Sequence, residues 1–245
     1  MDRLIYTSMT GASAAAARQT VLANNLANAS TNGFRAELSQ FRAVPLNGTG
    51  TSSRVFALEA TSGYDDRPGS VQRTERNLDA MAQGNAWFAV QGLDGTEAYT
   101  KNGALEINSQ GTLVNSVGLT VLSDGGAPID VPQGAQISLG LDGTVTAKVD
   151  GQQPNILGRV KLATPDAEDP LRRSDDGLFR TRSGDPVAQD ALAKLQTGAV
   201  ESSNVNAVES MVGMIAAARQ FESQMKLMQT AETNDRSASK LLGQS

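Results

Sequence analysis

The chain has 245 residues, 39% hydrophobic but only 4% aromatic, with a net charge of −5, no Cys and no His. That length allows one large or two modest domains. The missing His removes the commonest general base and metal ligand. The missing Cys removes thiolate nucleophiles and the usual structural zinc sites, and the lack of a basic block disfavours nucleic acid.

No run of about 18 apolar residues occurs, which argues against direct membrane insertion. Met1–Met9 has no positive region followed by a clean apolar stretch. It predicts a chain without a cleavable secretory signal. The first helix is predicted over residues 3–28, with Asp2 as N-cap. Ile5, Met9, Ala12, Ala16, Gln19, Ala23 and Leu26 recur with four-three spacing, the pattern of a coiled-coil seam built mostly from small residues. Leu4, Ser8, Gly11, Ala15 and Leu22 flank that row. Arg18 is the one charged residue between positions 4 and 34, so the uncharged surface is wide enough for more than one neighbour. Asn28, Asn32 and Gly33 supply the stop.

Residues 35–78 show no sustained period and are punctuated by Pro45, Asn47-Gly48-Thr49-Gly50, Gly63 and Pro68-Gly69. They read as an extended excursion with little core of its own. Residues 79–185 read as an antiparallel β domain. Apolar alternation marks Trp87–Ala89, Leu105–Ile107, Val117–Val121, Ile129–Val131, Ile137–Leu141, Val145–Val149 and Val160–Leu162. Asp94-Gly95, Asn102-Gly103, Asp124-Gly125, Asp142-Gly143, Asp150-Gly151 and Asp176-Gly177 suit primed hairpin turns.

Residues 186–245 hold a transition and a second long helix over 205–242. Asn206 and Glu209 form a capping box at its start. Met211, Met214, Ala218, Phe221, Met225 and Met228 hold three-four spacing, with Val208 and Ile215 beside them. Four of the six are Met, whose adaptable shape suits irregular contacts. The expected fold class is therefore α+β, with an antiparallel all-β centre and long terminal helices packed as a coiled-coil-like assembly layer. The divisions are 1–34, 35–78, 79–185 and 186–245.

Asn24, Asn25 and Asn28 crowd the end of the first helix. Capping and a turn explain them; a row of amides fixing register against a neighbouring helix is the functional alternative. Asp65-Asp66 and Asp175-Asp176 are the only carboxylate pairs worth weighing as acid and base. Nothing nearby raises one pKa selectively, so they read as solvated turns. Asp142-Gly143 and its analogues read as turns, since no calcium-ligand spacing develops around them. Trp87 reads as strand packing.

Asn24–Arg35, which contains Gly33 and Phe34, resembles the N-terminal signature of the flagellar rod, hook and hook-filament-junction family of axial proteins. Trp87–Gly92, Tyr99–Gly103 and Gly111–Val114 resemble the family's central β segment, and Ser203–Val212 its second helix start. Met1–Tyr6, Arg173–Arg180 and Ala218–Lys226 resemble a proximal-rod member. Ala104, where relatives often carry a bulkier residue, is a departure. The resemblance implies a structural subunit without enzymatic activity or cofactor, polymerising with itself and with proximal and distal rod proteins. It implies terminal helices lining an export channel, a β domain facing the periplasm, and export by the flagellar secretion apparatus without signal cleavage. The alternatives are a distal-rod paralogue, a secreted peptidoglycan-acting enzyme and a β-domain adhesin.

Overall fold

The computed structural model describes residues 4–45, 55–149 and 151–242. Asp2, Asn47-Gly48-Thr49-Gly50 and Asp150 lie outside the described residues. Chain order begins with α1 (Leu4–Ala27), β1 (Glu37–Pro45), β2 (Val55–Tyr64), β3 (Val71–Arg73), β4 (Ala80–Ala82), β5 (Trp87–Gln91), β6 (Glu97–Thr100), β7 (Leu105–Ile107) and β8 (Leu113–Asn115). It continues with β9 (Gln136–Leu139), β10 (Thr144–Lys148), β11 (Asn155–Arg159), β12 (Leu162–Ala163), β13 (Arg172–Arg173), β14 (Phe179–Arg180), β15 (Leu195–Thr197), β16 (Ala199–Glu201) and α2 (Ala207–Leu242). The class is α+β. The chain folds as two units: Met1–Ala29, Ala36–Asp65 and Val205–Ser245 form the first, Ser30–Arg35 and Asp66–Asn204 the second.

In the first unit α1 and α2 pack antiparallel. A Cβ on Gly11 would fall 2.9 Å from the Gln224 side chain, and one on Gly213 would fall 3.1 Å from Leu22. Within the extended excursion expected over 35–78, β1 and β2 pair antiparallel from Glu37 opposite Tyr64 to Pro45 opposite Val55. The reason the period is hidden is a bulge between Gln40 and Phe41. The extra residue is Ala60 of β2, skipped between the pairs Gln40–Thr61 and Phe41–Glu59, so a single alternating pattern cannot run through β2.

In the second unit a five-stranded antiparallel sheet has the order β12-β5-β6-β14-β13, and a three-stranded one the order β11-β10-β9. The pairs β7-β8, β15-β4 and β16-β3 complete it. Strands β3, β15 and β16 lie in stretches where the sequence shows no period, being only three residues long. Phe88, Val90, Leu105, Leu113, Val121, Val145, Val160 and Leu195 are fully buried and form one aliphatic core. Trp87 through Val90 are all buried. Successive strand side chains point to opposite faces, so β5 is covered on both.

Two sequence expectations are corrected here. Val117–Val121 and Ile129–Val131 form only isolated bridges, namely Val114–Thr120, Val90–Val121 and Thr112–Asp130. Gly118 at φ +90° and the two prolines Pro128 and Pro132 interrupt the ladders. The Asp-Gly dipeptides also do not form primed turns, which need positive φ at both central residues. Gly95, Gly143 and Gly177 have positive φ, while Glu75 is the one non-glycine among the described residues that does. The aspartates instead brace the loops: Asp94 Oδ1 accepts Thr96 N–H at 3.0 Å, Asp142 Oδ1 accepts Thr144 N–H at 3.1 Å, and Asp176 Oδ1 accepts Leu178 N–H at 3.0 Å.

Asn102-Gly103 is a close backbone approach rather than a hairpin turn. Ala80 N–H donates to Gly103 O at 2.9 Å, and a Cβ on Gly103 would fall 1.8 Å from Ala80 O. Gly103→Ala is expected to cost about 1–3 kcal/mol by overpacking. Gly125→Ala, with Ser123 Oγ 3.9 Å away as its nearest contact, should stay within about 0.5 kcal/mol of the parent. Urea unfolding of both variants checks the contrast.

Candidate functional site

The helix pair of the first unit offers two kinds of face. The inward face is made of small residues. Ser8, Ala12 and Ala15 are buried on α1, with Gln19 and Leu22 half-buried; Ser210, Ala217 and Ala231 are buried on α2, with Met214, Gln224 and Met228 half-buried. Small side chains let two helix axes come close. The row selected from sequence divides accordingly. Ala12 is buried; Ile5, Gln19, Leu22, Leu26, Met214, Ala218 and Met228 are half-buried; Met9, Ala16, Val208, Met211, Ile215, Phe221 and Met225 are exposed.

The outward face of α2 is apolar at its start. Val208, Met211, Val212 and Ile215 are 69%, 50%, 61% and 55% exposed. Their i, i+3, i+4, i+7 spacing places them on one stripe. Tyr6 and Met9 are each 54% exposed on α1. An exposed contiguous apolar stripe marks an interaction surface. Val212 and Tyr6 escape a reading confined to one four-three row; the signal that finds Val212 is the wider i, i+3, i+4, i+7 stripe.

The start of α2 is capped as expected, with Asn206 Oδ1 accepting the N–H groups of Val208 at 3.1 Å and Glu209 at 3.2 Å. At the end of α1 the three asparagines have different roles. Asn28 Nδ2 donates to Asn24 O and Oδ1, both at 3.0 Å. Asn25 is buried and faces β1: its Nδ2 donates to Glu37 O at 2.9 Å and its Oδ1 accepts Glu37 N–H at 2.8 Å. The amide thus imitates a β-ladder partner at the root of the ribbon.

The second unit holds a buried charged cluster on the Trp87 face of β5. Arg35 and Glu201, 2% and 3% exposed, form an ion pair. Glu201 Oε1 also accepts Gly69 N–H at 2.8 Å, and Glu201 O accepts Gly33 N–H at 2.7 Å. Lys101 Nζ donates to Gly84 O at 3.0 Å and Ala86 O at 2.7 Å. It lies 5.0 Å from the centre of the Trp87 ring, with the Arg35 guanidinium at 5.9 Å. Trp87 packs on Phe179 at 4.7 Å between centroids. Arg173 lies over the Phe34 ring and donates to Arg35 O at 3.1 Å. Gly33 has φ +71°, and a Cβ there would fall 2.3 Å from the Lys101 backbone. Gly33 and Phe34 therefore belong to this cluster and not to the helix stop, which Asn28 provides.

Burial pushes the Lys101 ammonium down to about 8; Glu201 opposes that shift and Arg35 adds to it. Asp176 is held below its ordinary value chiefly by its bond to Arg180, which also reaches Asp94 at 3.1 Å. That carboxylate is an ionised loop brace, the reverse of what a general acid requires. Among the described residues no helix is long and apolar enough to cross a membrane.

Three protein-family models match in order along the chain. They are "Flagella basal body rod protein" over residues 5–35, "Flagellar hook protein FlgE/F/G D1 domain" over 81–147, and "Flagellar basal body rod FlgEFG protein C-terminal" over 196–241. The paired terminal helices and β unit are thus those of a flagellar rod and hook structural protein. The chain is 42% identical to the flagellar basal-body rod protein FlgF of Salmonella typhimurium and 41% identical to that of Escherichia coli, in both cases over all of each chain. It is 29% identical to the rod protein FlgG of Buchnera aphidicola over 93% of this chain and 95% of that one. The chain belongs to the FlgF family of flagellar basal-body rod proteins. It is a structural subunit of the basal body and not an enzyme, which sets aside the wall-acting alternative.

Two expectations follow from the geometry. Asn25→Ala leaves Glu37 N–H and C=O without their partner and should cost about 1–3 kcal/mol. Asn24→Ala, at an exposed position, should cost under about 0.5 kcal/mol. Chemical denaturation of the two variants distinguishes them. For Lys101, the folded pKa lies below the unfolded one. The unfolded chain therefore binds more protons between pH 8 and 10, and stability rises with pH there. Burial and then Glu97 hold the Tyr99 phenol above its usual value, which opposes the rise above pH 10. Unfolding midpoints at pH 7.5 and 9.5 should show an alkaline gain in the parent that is reduced in Lys101→Met.

Proposed function

We propose that this chain is a subunit of the proximal rod, polymerising helically through its terminal helices into the drive shaft and export channel between motor and hook. The carrying observation is the exposed stripe of Val208, Met211, Val212 and Ile215. Apolar residues on a helix whose opposite face is already packed call for a second partner. A repeated contact between unlike faces of identical or related subunits does not close and generates a helical array. The four-three spacing of Ser8, Ala12, Ala15, Gln19 and Leu22, and of Ser210, Met214, Ala217, Phe221, Gln224, Met228 and Ala231, supports coiled-coil-like packing within this layer. The remaining candidate interface residues extend this assembly surface: Ile5, Met9, Ala16, Asn24, Leu26 and Asn28 on and after α1, and Ala218 and Met225 on α2; Gly33 and Phe34, held in the cluster of the second unit, do not belong to it. The partners are further copies, other rod proteins and the flagellar export apparatus. The subunit crosses into the periplasm without signal cleavage, and residues 1–34 and 186–245 carry assembly.

Electron microscopy of basal bodies from cells lacking the gene tests this reading. Structures ending at the membrane ring, without distal rod or hook, are expected; complete rods and hooks would overturn it. The finer expectation concerns the stripe. Met211→Glu with Ile215→Glu should leave the thermal unfolding of the purified chain within about 0.5 kcal/mol of the parent, as exposed substitutions do, yet abolish swimming in soft agar. Full motility from that variant would show that the stripe is not an interface.

A further inference from the structure

Residues 30–35 enter the second unit from the first and leave it again after Arg35, so both chain neighbours, Ala29 and Ala36, belong to the other unit. None of the six lies in a strand of the β ladders. Polar contacts to the second unit help to hold them. Gly33 N–H donates to Glu201 O at 2.7 Å, Asn204 N–H donates to Phe34 O at 3.3 Å, and Arg173 donates to Arg35 O at 3.1 Å. The Arg35–Glu201 ion pair closes the set.

The chemistry of this seat differs from that of the adjoining core. The Phe88 face of β5 packs on aliphatic residues; the Trp87 face holds two buried cations, Arg35 and Lys101, and one buried carboxylate, Glu201. Arg35 Nε has no hydrogen-bond partner among the described residues. A buried ion pair contributes little net stability compared with a packed apolar pair of the same volume, but removing one member leaves an uncompensated charge. Such a contact selects its partner sharply while adding little to the core. Gly33 adds a second selection, since its φ of +71° and the 2.3 Å approach to the Lys101 backbone leave no room for a side chain.

We propose that Ser30–Arg35 is a latch that docks in the β unit and opens separately from it, closed by the Arg35–Glu201 pair. When closed, Gly33 and Phe34 lie hydrogen-bonded beside Glu201 and Asn204. The first pair follows the end of α1 by six residues and the second precedes α2 by three. Closing the latch therefore ties together the chain roots of the two helices, and opening it releases the root of α1 while the β core stays folded. This is a local opening of the kind that contiguous segments undergo below the free energy of global unfolding. The inference stands on the geometry of the second unit and is independent of the rod reading.

Hydrogen exchange of the full chain, resolved to single amides, tests it without reference to assembly. In the parent, Gly33 N–H should exchange at least tenfold faster than the β-core amides of Ala89 and Leu122 after correction for intrinsic rates. Glu201→Gln keeps the side-chain shape and an acceptor for Gly69 but removes the charge. It should speed Gly33 at least a further tenfold and leave Ala89 and Leu122 unchanged; Arg35→Met should do the same. Equal protection of Gly33 and the core in the parent would overturn the proposal. So would a Gly33 rate untouched by both substitutions, or a loss of protection spread over the whole β unit.

Discussion

The close approach of α1 and α2 is the constraint on which the assembly surface depends. Two helices that meet over Gly11, Ala12, Ala15, Gly213 and Ala217 bury little apolar area per residue, at about 25 cal/mol for each Å². Leu22, Met214 and Met228 are half-buried in the contact, and the large apolar side chains at the start of α2 are not consumed by it. Met211, Val212 and Ile215 remain outside because the residues beside them, Ser210, Gly213 and Ala217, suffice for the intramolecular seam. The buried positions of the pair are thus small residues, while Val208, Met211, Val212 and Ile215 stay exposed, the feature on which the proposed assembly contact rests.

The β unit has a comparable division across one strand. Phe88 and Val90 face an aliphatic core, with Gly103 drawn against Ala80 so that two segments share one backbone hydrogen bond. Trp87 faces the charged cluster that receives the chain from both termini. Its large ring serves as a platform for two cations, which lets Lys101 and Arg35 be buried within reach of a single carboxylate. The apolar face gives stability and the polar face gives specificity. The same strand holds both, so the seat for Gly33–Arg35 is backed by the core.

The helices, the β character of the centre and the cap at Asn206 were legible in sequence because each leaves a local pattern. The ribbon was not, since the extra residue Ala60 breaks the alternation of β2. The Asp-Gly dipeptides gave turns in the right places but the wrong kind, because glycine supplies the positive φ of a longer loop as readily as that of a primed turn, and the sequence does not show that the aspartate before it keeps negative φ. The helix faces were harder. Along α1 nearly every candidate residue is small and uncharged, so two adjacent four-three rows score alike, and only contact with α2 chooses the row of Ser8, Ala12 and Ala15. The Arg35–Glu201 pair spans 166 positions in the chain, and neither residue carries a local mark of its partner.

Asn25 shows why a family signature need not report a surface contact. Three asparagines in five residues suggest amides offered to a neighbour, yet Asn25 is turned inward onto Glu37 and Asn28 back onto Asn24. A side-chain amide has the donor and acceptor arrangement of a peptide group, and at the root of a ribbon it can replace the strand neighbour that is missing there. A serine could accept from Glu37 N–H but would not reach its carbonyl in the same geometry; an aspartate would accept but not donate. The demand for asparagine therefore arises from the junction of helix and ribbon within one subunit. Any role of these residues in register between subunits acts through the direction in which that junction sends the ribbon.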